Sequence, residues 1–324
     1  MALAFLLALG VSLALQPVLR HFLQRWRVVD VPVDRSSHRA VTVRGGGVAV
    51  VAGLSTATVL VAPGATARLV VLGAVLLGAV GLLDDLRGLS PRVRLVAQVV
   101  LGAGLALALV GLAAGSPAPA VFVVLTLSMT LWLVAYVNAF NFMDGVHGIS
   151  GMNAVFTGCF YAWLGYEYGV VDVSVVSIAL AGATIGFLPW NVPRARMFLG
   201  DVGSYAIGTV CALLAGLLFL SGVPAVLVCA PLLLYVLDTG GTLARRVWRG
   251  AGVLAAHREH TYQRLARQES EHVWVSALTV ICSGVVVYGA LLATEGRILL
   301  GGAMMALPLA TYLGLPWFRS AGPR

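Results

Sequence analysis

Apolar runs of about 20 residues recur along almost the whole of this 324-residue chain, and that is the length an α-helix needs to cross the hydrocarbon core of a bilayer. In hydrocarbon every backbone N–H and C=O must find a partner within the spanning structure, which leaves helices and closed barrels. Barrel strands alternate apolar and polar residues, and these runs do not. The fold class is therefore all-α: a polytopic integral membrane protein with about 10–11 transmembrane helices, forming a single membrane-embedded domain over 1–324. Candidate spans lie at roughly 2–19, 46–62, 68–83, 95–113, 120–138, 148–166, 173–190, 203–221, 224–242, 273–293 and 298–316. Composition excludes a water-soluble alternative: 60% of residues are hydrophobic and 10% charged, and the mean hydropathy is +0.95.

The first run has no basic segment before it and no clear small-residue cleavage site, so it reads as a retained helix rather than a signal peptide. Cys159, Cys211, Cys229 and Cys282 lie in apolar runs without metal-like spacing. They read as small core residues outside any disulfide framework.

All 21 basic residues are arginine. The connections after odd-numbered spans hold Arg20, Arg25, Arg27, Arg35, Arg39, Arg44, Arg87, Arg92, Arg94, Arg194, Arg196, Arg245, Arg246, Arg249, Arg258, Arg264 and Arg267, and the C-terminal tail adds Arg319 and Arg324. The opposite side holds only Arg68 and Arg297. The positive-inside rule makes the arginine-rich side cytoplasmic, with the N-terminus outside. Outer loops are short and turn-like, and the polar chemistry collects in inner loops at about 20–45, 84–94, 138–148, 190–202 and 243–272. No ionisable residue is read in the middle of a span, and no internal repeat is seen. This one-sidedness favours an enzyme using a cytosolic substrate over a transporter, which should place polar or broken helices near the midplane. No nucleic-acid partner is expected.

The inner loops carry the candidate site. Asp34-Arg35-Ser36-Ser37-His38 is followed by Arg44-Gly45-Gly46-Gly47; three glycines entering a helix let backbone N–H groups approach an anion, or form only a basic connector. Asp84 and Asp85 are adjacent carboxylates at a membrane edge, which need a cation or an arginine such as Arg87 to neutralise them. Asn138, Asn141 and Asp144, three residues apart, would share a helix face and offer oxygens to a hard cation, or cap a helix end. Asp201, between Gly200 and Val202-Gly203, could cap the following helix, ligate a metal, or do both. In His257-Arg258-Glu259-His260, arginine flanked by histidines suits phosphate better than zinc; the bland reading is a solvated amphipathic helix on the inner surface.

Taken together, Arg35–His38 with Arg44–Gly47, Asp84-Asp85, Asn138–Gly148, Gly186–Asn191 with Phe198–Ser204, and His257–His260 resemble the motifs of the polyprenyl-phosphate N-acetylhexosamine-1-phosphate transferase family, in order and on one face. The resemblance spans almost the full chain. It implies a bacterial inner-membrane enzyme that transfers a sugar 1-phosphate from a UDP-N-acetylhexosamine to undecaprenyl phosphate, releasing UMP. It implies Mg²⁺ as cofactor, with Mn²⁺ substituting, and a homodimer as a common family state. Asp201 and Asn141 would be the metal ligands, Asp84 and Asp85 the acceptor-side carboxylates, and Asp144 a further catalytic carboxylate. Arg35, His38, Arg44, Asn138, His147, Asn191, Arg196, His257, Arg258 and His260 would contact substrate. One position departs from the family: its Asp-Gly-x-Asp-Gly pattern reads Asp144-Gly145-Val146-His147-Gly148 here, with a histidine where an acid facing the uracil is expected. The His-x-x-His ending looks closer to initiators of O-antigen in lipopolysaccharide synthesis than to phospho-N-acetylmuramoyl-pentapeptide transferase of cell-wall peptidoglycan synthesis, which typically ends in adjacent histidines. The rival of a different class is a non-enzymatic polytopic lipid transporter.

Overall fold

The structure is a computed structural model that describes residues 1–32, 40–62, 64–252 and 257–320, the last four of these by backbone alone. Helices α1 (Ala2–Arg25), α2 (Gly47–Val61), α3 (Ala65–Arg87), α4 (Pro91–Ala113), α5 (Pro119–Met143), α6 (Ile149–Glu167), α7 (Val171–Asn191) and α8 (Gly200–Leu220) follow one another. Then come α9 (Ala225–Cys229), α10 (Leu233–Trp248), α11 (Thr261–Leu265), α12 (His272–Thr294) and α13 (Ile298–Ser320). Among the described residues, nine segments are long and apolar enough to cross a membrane, with α9 and α10 counted as one. Two more complete the weave. The 15-residue α2 and the 19-residue α6 each fill the path between crossing helices; short connections join α2 to α3 and α6 to both α5 and α7.

Helix α8 is the hub. It is apolar all round, as a helix surrounded by protein must be, and 94% of its most apolar stretch is buried, against 17% for α5 and α13. Its main neighbour is α3, and the two meet at Gly81: a Cβ there would lie 2.1 Å from the Asp201 carbonyl oxygen. Small residues permit such contact between membrane helices, where packing rather than water exclusion drives association. The same logic shapes α1, which buries Ala4, Ala8, Ser12 and Gln16 at every fourth position and leaves Leu3, Leu6 and Leu13 exposed. Away from the arginine-rich end, Asp172 in the first turn of α7 accepts from the backbone N–H of Ala67 at 3.2 Å and from the Thr66 hydroxyl, tying α7 to α3.

In its secondary structure and burial the fold departs from the sequence reading at four places. First, a small sheet sits at the arginine-rich end: β1 (Val29–Asp30) pairs antiparallel with β2 (Thr42–Arg44), and β2 pairs parallel with β3 (Met197–Phe198). Second, the span expected at 224–242 is broken by a 3-10 turn at Ala230–Leu232 and runs on to Trp248; Pro231, which has no N–H and blocks the preceding carbonyl, sits in that turn. Third, an ionisable residue does lie within a span: Asp238 of α10 is fully buried. Fourth, Cys211 and Cys282 are buried as expected, but Cys159 is exposed on α6 and Cys229 is only half-buried.

Candidate active site

The site is assembled where α3 ends, α4 and α8 begin, and β2 passes between them. Helix α3 stops at Gly88, which takes the left-handed conformation that ends many helices (φ 64). Helix α4 restarts at once, with Ser90 accepting from the Val93 N–H at 3.4 Å and Pro91 in its first turn. This tight turn leaves Asp84 and Asp85 in the last turn of α3 and Arg94 in the first turn of α4. Asp84 accepts from the Leu89 N–H at 2.8 Å and from Arg94 Nη1 at 2.7 Å. The arginine that neutralises Asp84 is thus Arg94, brought back by the turn, rather than the adjacent Arg87.

Asp85 turns the other way. Its two oxygens accept from the backbone N–H groups of Asp201 and Val202, each at 3.0 Å, and Arg44 Nε lies 2.5 Å from Oδ1. These N–H groups are orphan donors at the start of α8, and the positive end of the helix dipole favours a carboxylate there. Asp85 therefore caps α8 from a neighbouring helix, and Asp201 stands inside the first turn rather than at the cap. Gly200 makes room for the arrangement. Its φ is +77, and a Cβ there would lie 2.6 Å from Asp85 Oδ2.

Asp201 Oδ1 accepts from Arg44 Nη2 at 2.6 Å and from Asn141 Nδ2 at 3.0 Å. Asn141 also reaches Ser204 Oγ at 2.9 Å, and Arg94 Nη1 lies 3.9 Å from Asp201 Oδ2. Three carboxylates and two guanidinium groups thus interlock. Burial pulls the Arg44 pKa down, but Asp201 and Asp85 more than offset it and hold the group above its usual range.

A polar cavity of about 300 Å³ opens beside Asp201 and Arg44, lined also by Asp30, Asn141, Asp144, Gly145, His147, Asn191, Phe198, Arg258 and Gln263. Asp144 caps the end of α5. Burial, with the Asp201 and Asp85 carboxylates adding to it against Ser150 and Arg44, pushes its pKa up to about 7. Asn191 braces the cavity wall, accepting from the Gly148 N–H at 2.7 Å and donating to the Met197 carbonyl at 3.1 Å. His147 is buried; its backbone N–H donates to His272 Nδ1 at 3.4 Å, and its ring meets that of His272 edge-on at 4.5 Å and that of Phe198 at 5.8 Å.

The fifth loop closes over this cavity through α11. Asp238 accepts from the N–H groups of Thr261 at 2.8 Å and Tyr262 at 3.3 Å and from the Tyr312 hydroxyl at 3.3 Å. The Tyr262 hydroxyl donates to the Phe142 carbonyl at 2.8 Å, joining the loop to the end of α5. His260 begins α11 and is buried, 3.7 Å from Asp238. The His257 ring lies 4.9 Å from that of His260. Burial, then His260 and Arg246, lower the His257 pKa.

The predicted residues therefore separate. Asn141, Asp144, Asp201, Arg44, His147, Asn191 and Arg258 line the cavity, while Asp84 and Asp85 stand behind Asp201. Asn138 donates instead to Gln98 of α4 at 2.6 Å, so the expected common face with Asn141 is divided between two neighbouring helices. Of the two readings of Gly45–Gly47, the open anion cradle is not seen. Gly45 and Gly46 donate to the Phe198 carbonyl at 3.2 and 2.9 Å, and Gly47 donates to the Leu199 carbonyl at 2.9 Å. Arg196 is exposed and does not line the cavity; His257 and His260 buttress the loop without lining it. Arg35 and His38 lie outside the described residues. No site role is read from the sequence for Arg94, Phe198, Ser204 or Gln263, and Asp238 is not singled out in it at all. Asp238 left a visible signal, a lone carboxylate in an apolar run.

With this geometry in place, comparison with known proteins identifies similar chains. The sequence profile of glycosyl transferase family 4 matches residues 67–219. A phospho-N-acetylmuramoyl-pentapeptide-transferase of Symbiobacterium thermophilum is 34% identical over 241 residues, covering 65% of this chain and 72% of that protein. A decaprenyl-phosphate N-acetylglucosaminephosphotransferase of Mycolicibacterium smegmatis is 29% identical over 308 residues, 82% of this chain and 75% of that protein. A Bacillus subtilis protein named "Probable undecaprenyl-phosphate N-acetylglucosaminyl 1-phosphate transferase" is 27% identical over 276 residues, 81% of this chain and 76% of its own length.

Proposed function

The chain belongs to glycosyl transferase family 4, and on that premise we propose that it transfers an N-acetylhexosamine 1-phosphate from a UDP-sugar to undecaprenyl phosphate at the cytoplasmic face of a bacterial inner membrane. The observation that carries the reading is the interlocked Asp84, Asp85, Asp201, Asn141, Arg44 and Arg94 cluster at one end of the membrane bundle, beside a polar cavity. Such a cluster suits phosphoryl exchange, in which positioning and electrostatics carry most of the rate. An oxygen of the lipid phosphate attacks the β-phosphorus of the donor. The bond from that phosphorus to the bridging oxygen of UMP breaks, giving the lipid-diphosphate sugar and UMP.

The named relatives support the carrier class, polyprenyl phosphate, in their printed names. Those names point to N-acetylglucosamine transfer in two cases and to the muramoyl-pentapeptide reaction in the third. The His257-x-x-His260 ending favours the simpler sugar. O-antigen initiation is the pathway the sequence suggests, and a surface polysaccharide built on the lipid-linked sugar is the general form of it.

The residues fit Mg²⁺. Among the described residues no three His, Cys, Asp or Glu side chains converge to hold an ion alone. Mg²⁺, however, commonly takes one or two carboxylates together with substrate phosphates and waters. Asp201, on the cavity wall at 14% side-chain exposure, and Asn141 beside it are oxygen-bearing groups of the right kind. Bound there, the ion supplies charge neutralisation for the diphosphate and the departing UMP. Arg44 and Arg258 face the cavity as guanidinium donors for phosphate oxygens. On the acceptor-side pair, Arg94 pairs with Asp84 and approaches Asp201, while Arg44 pairs with Asp85.

Purified protein incubated with undecaprenyl phosphate and a panel of UDP-sugars, including UDP-N-acetylmuramoyl-pentapeptide, should yield a lipid-diphosphate N-acetylhexosamine by mass. EDTA should abolish it, and added Mg²⁺ restore it. No lipid product from any donor would sink the enzymatic reading, and product from the pentapeptide donor alone would replace the sugar assignment.

A further inference from the structure

A second basin opens beside the active-site cavity. It measures about 330 Å³ and is lined by Arg245, Arg249, Arg258, Arg264 and Glu259. Its one carboxylate is already engaged, because Glu259 pairs with the buried Arg246 and lies 3.5 Å from Arg249. Arg245 donates to the neutral Thr242 hydroxyl at 3.0 Å. Arginines therefore outnumber acids around a concave space, and the guanidinium fork matches phosphate oxygens.

The position of the basin narrows its occupant. Arg245 and Arg249 lie at the C-terminal end of the apolar stretch Ala225–Trp248. Between them, Val247 is 62% and Trp248 92% exposed. A tryptophan so exposed at the end of a crossing helix marks the level of the lipid head groups. We propose that this basin binds a phosphate-bearing anion at the inner membrane surface, presented either by the head group of an anionic phospholipid or by a soluble phosphate compound. Arg258 lines both this basin and the active-site cavity, so an occupant also bears on the loop that closes over the reaction. This binding is separate from sugar-phosphate transfer, and its test does not use transfer as a readout.

The intact protein is placed in nanodiscs of phosphatidylcholine, with Trp248→Phe as the reference that isolates the emission of Trp248. Brominated phosphatidylglycerol is added, with brominated phosphatidylcholine as control. Trp248 should be quenched selectively by the anionic lipid, and Arg245→Gln with Arg249→Gln should weaken that response roughly 30-fold, since each basic residue near a lipid surface contributes on the order of a five-fold factor. The paired lysine replacements, which keep the charge, should retain most of the response and so exclude misfolding as its cause. In a second arm, inorganic phosphate is compared with chloride at matched ionic strength by thermal unfolding. Stabilisation by phosphate that the glutamine pair removes assigns a soluble source; selective lipid quenching without it assigns the head group. Equal quenching by both lipids in all proteins, with no phosphate-dependent stabilisation, overturns the proposal.

Discussion

Asp85 and Asp201 are near neighbours with different work. Asp85 has no exposed side-chain surface and accepts from two N–H groups of α8 as well as Arg44. Removing it leaves buried donors and a guanidinium short of an acceptor, which costs roughly 2–3 kcal/mol. Asp201 faces the cavity, and its loss is cushioned: Arg44 keeps Asp85, and Asn141 keeps Ser204. Asp201→Ala should therefore lower turnover by about 100-fold or more with a nearly unchanged unfolding midpoint, whereas Asp85→Ala should lower both. Parallel measurements of turnover and of unfolding in mixed micelles decide the matter, and normal turnover in Asp201→Ala would end the metal assignment. Asp238 makes the same point at a distance. It touches no cavity wall yet holds the N–H groups of Thr261 and Tyr262. Asp238→Asn should loosen the loop that carries Arg258. Donor KM should rise on the order of ten-fold with kcat less affected, and trypsin should cut at Arg258 faster. An unchanged KM with unchanged cleavage would reduce Asp238 to a packing role.

At the scale of elements, helix length and position were legible because hydrocarbon imposes them, and the polar loops were legible because little else in the chain is polar. What the loops bind was not. The glycines at 45–47 look free in sequence, but their acceptors, Phe198 and Leu199, come from about 150 residues away. Asn138 and Asn141 look coaxial, yet three residues turn a helix by about 300°, and the remaining 60° is enough to aim them at different neighbours. Asp201 looked like its own helix cap, and the capping carboxylate comes from α3 instead. These are tertiary facts, set by which helices touch. The α3–α8 contact itself depends on Gly81, whose missing Cβ would stand 2.1 Å from the Asp201 carbonyl. Gly81→Ala should force the helices apart, costing about 1–3 kcal/mol of stability and lowering turnover, because Asp84 and Asp85 move with α3 while Asp201 stays on α8. A Gly81→Ala enzyme with full activity and an unchanged unfolding midpoint would contradict that geometry.

For the whole molecule, the arrangement of charge follows from crossing number. The nine crossing segments found among the described residues, with α2 and α6 completing the path, bring the ends of α3 and α5 and the start of α8 to one end of the bundle, so Asp84, Asp85, Asp144 and Asp201 meet although they are spread over more than 100 residues. Among the described residues, the same end carries all the arginines except Arg68 and Arg297, and the positive-inside rule predicts that this end faces the cytoplasm. The two faces can be told apart chemically. Ser116, in the turn between α4 and α5, and Arg196, in the loop between α7 and α8, are both exposed and lie at opposite ends. Cys159 is exposed too, but in the middle of α6, where exposure means contact with lipid and a charged thiol reagent does not reach. Ser116→Cys should therefore be labelled by a membrane-impermeant maleimide added to whole cells, and Arg196→Cys should be labelled only after the membrane is opened or in inverted vesicles. The reverse pattern would turn the protein over and place the carboxylate cluster away from any cytosolic donor.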